Sequence, residues 1–182
     1  MRCKHLTFFI FVVAVCGQDS FEKDLQAGLS LVQNGRYRDA IEPLSRVLAA
    51  HPDSFETNYL LGLALSQEGR PLEAIKRLRA GQLARPGHAG LLTLLGMLYL
   101  KEGYPLDAAE TLMSAGKQAP LAEKPALLIV EAWHQCFQFD KALTSANETA
   151  ARFPQSADAQ FPPPRRSHSR PHRRRAARRP CQ

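Results

Sequence analysis

The side chains best suited to ligate a metal or to form nucleophile–base pairs are six histidines, at positions 5, 51, 88, 134, 168 and 172, and four cysteines, at 3, 16, 136 and 181. Their spacing argues against both uses. No two histidines stand four apart around a glutamate, the arrangement that puts two imidazoles and a general base on one helix face. His134 and Cys136 are two apart, so a helix would send them in different directions. There is no glycine-rich phosphate loop and no Gly-x-Ser-x-Gly elbow. The 17 carboxylates are scattered as on a solvated helix face. The chain therefore reads as not an enzyme, with no catalytic residue, no metal site and no cofactor. Trp133 is expected in a core. Cys136 is expected as a small buried hydrophobe, the other reading being a bond to Cys181 in an oxidising compartment. Asn147-Glu148-Thr149 fits a glycosylation acceptor but falls within a helical stretch, and is read as coincidence.

The charge is unevenly placed. The whole chain carries +7, yet residues 162–182 hold eight arginines (Arg165, Arg166, Arg170, Arg173, Arg174, Arg175, Arg178 and Arg179) and no acid. Residues 18–161 carry 14 basic against 17 acidic side chains, a net −3. The basic surplus therefore belongs to the ends and not to the body. At the start, Arg2 and Lys4 precede an apolar run, Leu6–Val15, and a small-residue exit at Ala14, Cys16 and Gly17. This resembles a secretory signal peptide over residues 1–17, and the run is too short for a permanent span. Lipidation at Cys16 and an uncleaved anchor are the alternatives.

The elements that must position any binding surface repeat every 34 residues from Phe21. Gly28, Gly62 and Gly96 share this step, as do Gly35, Gly69 and Gly103, Ala40, Ala74, Ala108 and Ala142, and Pro52, Pro86, Pro120 and Pro154. A glycine inside a helix costs about 1 kcal/mol against alanine, which a close-packed second helix can offset. The alanines are expected to be the small residues of that second helix. Gly35, Gly69 and Gly103 suit a left-handed position just past a helix end. Pro71 and Pro105 then suit the first turn of the next helix, and the later prolines stop it. In the fourth copy Val130 replaces the mid-helix glycine and Phe137 the turn glycine.

This pattern resembles the tetratricopeptide repeat, whose period is also 34. The resemblance implies an all-α, right-handed α-solenoid of about four helix-turn-helix repeats: Phe21–Ser54, Phe55–His88, Ala89–Ala122 and Glu123–Ser156. Helix A of the first repeat is expected over about Glu22–Asn34 and helix B over about Arg38–Ala50. In the family helix A lines a concave face. By position this gives an apolar partner-binding groove of Leu25, Leu29, Val32, Tyr59, Leu63, Met97, Leu100 and Leu127. The lysines and asparagines with which some family members hold a terminal carboxylate are absent, since the fifth position reads Leu25, Tyr59, Thr93 and Leu127. The alternative is that the superhelix or the N-terminal segment covers this strip.

Residues 157–161 begin a fifth helix A in register before Pro162-Pro163-Pro164 stops it. Residues 162–182 contain no aliphatic residue larger than alanine, so the tail is expected to be disordered. Its arginine, proline, alanine, serine and histidine content without lysine is that of GC-rich DNA read out of frame. A genuine arginine-rich arm for nucleic acid or anionic surfaces is the competing reading. The sequence thus leads to an exported (periplasmic, envelope or extracellular) scaffold with a protein or peptide partner. Nucleic acid enters as a partner only if the tail is genuine, and a membrane only through an uncleaved or lipidated leader.

Overall fold

The computed structural model describes residues 21–155. The leader (1–17), the aborted fifth repeat (157–161), the tail (162–182), Cys3, Cys16 and Cys181 lie outside the described residues. Within them the chain is all-helical: α1 (residues 21–33), α2 (Tyr37–Ala50), α3 (Phe55–Gln67), α4 (Pro71–Ala84), α5 (Ala89–Lys101), α6 (Pro105–Gln118), α7 (Glu123–Gln135) and α8 (Phe139–Arg152). They divide into two compact units at Pro86 and Gly87. In the first unit α3 packs on α4 and on α2. In the second, α5 packs on α6, α7 on α8, and α6 and α5 on α7.

Each hairpin is built by the same turn. Gly35, Gly69 and Gly103 have φ of 72°, 73° and 80°. The next residue's amide reaches five residues back, as in Arg36 N to Leu31 O (2.8 Å), Arg70 N to Leu65 O (2.9 Å) and Tyr104 N to Tyr99 O (2.8 Å). The glycine amide itself reaches three back, so two otherwise orphaned carbonyls are satisfied in one turn. The fourth turn closes identically without glycine. Phe137 takes φ 58°, with Phe137 N to His134 O and Gln138 N to Trp133 O both at 3.0 Å. Its ring points to solvent, 79% exposed, so the left-handed backbone is held by the hydrogen bonds and not by side-chain packing. Pro71 and Pro105 are the first residues of their helices, where the missing amide is no loss. α2, α4, α6 and α8 all end two residues before a proline of the periodic set.

The mid-helix glycines do mark close approach, but the residue that fills the space is not the periodic alanine. A Cβ on Gly28, Gly62 or Gly96 would lie 2.5–2.7 Å from the side chain of Leu44, Leu78 or Leu112 respectively, one turn beyond the alanine. The alanine supplies its carbonyl, with Ala74 O at 3.5 Å and Ala108 O at 3.3 Å from the added atom. All three leucines are completely buried and form the centre of each hairpin. Burial of such a side chain contributes about 1.5–3 kcal/mol.

Candidate functional site

The half-buried apolar positions of the helix A set give each unit its own row. In the first unit α1 contributes Leu25 and Leu29, and α3 contributes Tyr59 and Leu63; all four are half-buried. Val32, expected in the same row, is 8% exposed and belongs to the core, because it lies at the end of α1 beneath the turn that Gly35 closes through Val32 O. In the second unit α5 contributes Met97 and Leu100 and α7 contributes Leu127, again half-buried. The row is therefore seated flush with the surface and does not stand out from it.

Tyr59 is oriented by its neighbours. Its ring stacks on Phe55 with centroids 5.9 Å apart and planes 7° from parallel. The Arg85 guanidinium lies 4.5 Å above Phe55 and pairs with Glu56 at 2.7 Å, so an aromatic–cation stack fixes the start of α3. Ser54 caps that helix by accepting the Thr57 amide at 3.3 Å. Asn58 is completely buried and donates to Pro52 O (2.8 Å) and Ser54 O (2.9 Å), tying the preceding loop to α3. Below Leu63, Ser66 donates its hydroxyl to the Leu63 carbonyl at 2.7 Å. In the second unit the equivalent cap of α5 is His88 Nδ1, which accepts the Leu91 amide at 3.1 Å.

Charge on this frame is structural. Arg46 donates to both carboxylate oxygens of Asp24 (3.0 and 2.8 Å), joining α2 to α1. That hydrogen bond, with a further contribution from the guanidinium charge, holds the Asp24 carboxyl below its ordinary pKa despite some desolvation. Arg70 grips Glu73 in the same two-pronged way at 2.7 Å and lowers it likewise. Among the described residues no three of His, Cys, Asp and Glu come together in a way that could hold a metal ion. Cys136 is buried at the end of α7 and is disulfide-bonded, in place of the bare buried thiol expected. Trp133 is buried, with the Lys141 ammonium 4.5 Å over its ring. No described helix is long and apolar enough to cross a membrane.

The most exposed apolar side chains are not among those expected from the repeat. Leu72, Leu83, Phe137, Phe139 and Leu143 are all more than half exposed, and none belongs to the helix A row. Three of them carry a signal in their spacing: Phe137, Phe139 and Leu143 crowd the start of the last described helix.

Comparison with known proteins agrees with this geometry. A family model described as tetratricopeptide repeat matches residues 25–81. No curated protein sequence matches the chain. Among solved structures, a crystal structure of MamA superposes with a TM-score of 0.71 at 20% identity, covering 78% of this chain and 78% of that one. MamA of AMB-1 gives 0.70 at 20% identity, covering 77% and 82%. MamA from Desulfovibrio magneticus RS-1, from its residue 41 to the end, gives 0.65 at 22% identity, covering 76% and 77%. Four helical hairpins closed by one turn geometry, a family match over the first two and this shared fold make the chain a tetratricopeptide-repeat protein.

Proposed function

We propose that the chain is a non-catalytic protein-binding scaffold that seats a partner segment, an amphipathic helix or an extended strand, on the apolar helix A rows. The observation that carries this reading is the half-buried pair Tyr59 and Leu63 beside Leu25 and Leu29 in the first unit. Partly open apolar residues on a helical-repeat face are what such proteins use to hold partners. In the second unit Met97, Leu100 and Leu127 form the corresponding row. A methionine there suits a surface that adapts to its ligand. The body carries −3, so the folded part is poorly matched to nucleic acid. Export, carried by the leader-like residues 1–17, is part of the same proposal.

The test is capture of a partner by the full chain and by a Tyr59→Ser, Leu63→Ser variant, with helicity followed by circular dichroism. The reading expects the partner to be lost while helicity is unchanged. Equal capture by both proteins would remove these residues from the binding surface.

A further inference from the structure

We infer that α8 is a self-association surface, on which two copies of this chain pair their α8 helices antiparallel about a two-fold axis near Ala146. The first observation is a row of apolar residues, Phe139, Leu143, Ala146, Ala150 and Phe153, spaced by four, three, four and three. That alternation places all five on one stripe and is the spacing of a helix-to-helix seam. Phe139 and Leu143 are 57% and 54% exposed, and the other three are half-buried. The buried residues of α8, Ala142 and Thr149, belong to a different face.

The second observation is what covers the same row elsewhere. In α2 the equivalent positions of Leu143 and Ala146 are Ile41 and Leu44, and α3 packs on that helix. In α6 they are Ala109 and Leu112, both completely buried, and α7 packs there. The α8 stripe is thus the repeat-stacking surface of the fold, continuous in kind with the α6–α7 interface. Among the described residues no helix follows to cover it.

The third observation identifies the occupant. Reversed about Ala146, the row matches itself. Phe139 meets Phe153, Leu143 meets Ala150, and the small Ala146 lies at the crossing. The flanking charges match as well, because Asp140 falls opposite Arg152. A surface on which residue i meets j and j meets i is what a two-fold dimer requires. Arg152 donates one hydrogen bond to Leu121 O at 2.8 Å and has further donors for a carboxylate. Lys141, held over Trp133, is kept off the stripe.

Sedimentation of the full chain over a wide concentration range tests this. The expected result is a reversible monomer–dimer equilibrium that Leu143→Glu weakens more than about tenfold, while Leu83→Glu, at another exposed leucine, leaves it unchanged. Asp140→Arg and Arg152→Asp should each weaken the dimer, and the two together should restore it. Ala146→Cys should give a covalent dimer on mild oxidation and Thr144→Cys should not, a readout that holds even if a charged variant folds poorly. A chain that stays monomeric throughout, a dimer indifferent to Leu143→Glu, or paired charge reversals without rescue would each overturn the inference. So would a monomer that instead holds another protein through α8.

Discussion

Exchanging a glycine and a leucine between two helices should leave the hairpin folded, although either change alone should damage it. In the second repeat an ideal Cβ on Gly62 would lie 2.7 Å from Leu78 Cγ and 2.8 Å from its Cδ2. Carbon atoms pack at about 3.5–4.0 Å, so the overlap is close to 1 Å. Leu78 is completely buried and has nowhere to swing. Gly62→Val therefore costs ~2–3 kcal/mol through overpacking, less a few tenths regained in helix propensity. Leu78→Ala costs ~2–5 kcal/mol, because it leaves a cavity against the glycine. The fourth repeat shows the way out. There Val130 stands at the glycine position and Ala146 at the leucine position, four side-chain carbons in either arrangement. The Gly62→Val, Leu78→Ala double variant should accordingly lose far less than the sum of the singles, with a favourable coupling of at least ~2 kcal/mol. Urea unfolding of the four proteins, followed by circular dichroism, closes the cycle. Additive losses would refute the argument that the glycine and the leucine exist for each other.

Three further outcomes follow from single contacts. Phe137→Gly should stabilise the protein by ~1 kcal/mol, since it relieves a left-handed backbone at an exposed side chain while keeping the turn's hydrogen bonds; thermal unfolding reads it. Asn58→Asp should destabilise by at least ~2 kcal/mol at neutral pH, because a carboxylate would face the Pro52 and Ser54 carbonyls in a buried site, and lowering the pH to protonate it should recover part of the loss. Arg46 lowers the Asp24 pKa, so the pair supports the fold at pH values above the ordinary aspartate range and loses that support as the pH falls through the depressed value. Asp24→Asn should flatten the acid side of the stability profile, and a carboxyl resonance of Asp24 titrating at the usual aspartate pH would contradict it.

Much of this architecture is legible from residue types, because several positions admit only one chemical solution. A turn with φ near 70° selects glycine, and a helix's first turn tolerates proline, so Gly35, Gly69, Gly103, Pro71 and Pro105 mark the hairpins by type and spacing alone. Phe137 shows the limit of that logic. Two backbone hydrogen bonds impose the left-handed turn on a phenylalanine, and sequence carries no trace of their strength. The partner of the mid-helix glycines is also hidden, since Ala74 and Leu78 recur with the same period and only the approach of the two helices selects the leucine. Val32 shares the spacing of Leu25 and Leu29, and it is the turn above it that closes it off. The α8 surface is masked in the sequence because the pattern of Phe139, Leu143 and Ala146 is that of any covered helix B. Its exposure becomes visible only when no described helix packs on it.

The claim that a partner lies on the helix A row is tested most directly by a photo-crosslinking side chain placed at Leu63 of the full chain, with the same group at Leu83 as the control. The account predicts an adduct with a partner protein from position 63 and none from the more exposed position 83. An adduct from 83 with 63 silent would place binding on the opposite surface and contradict it.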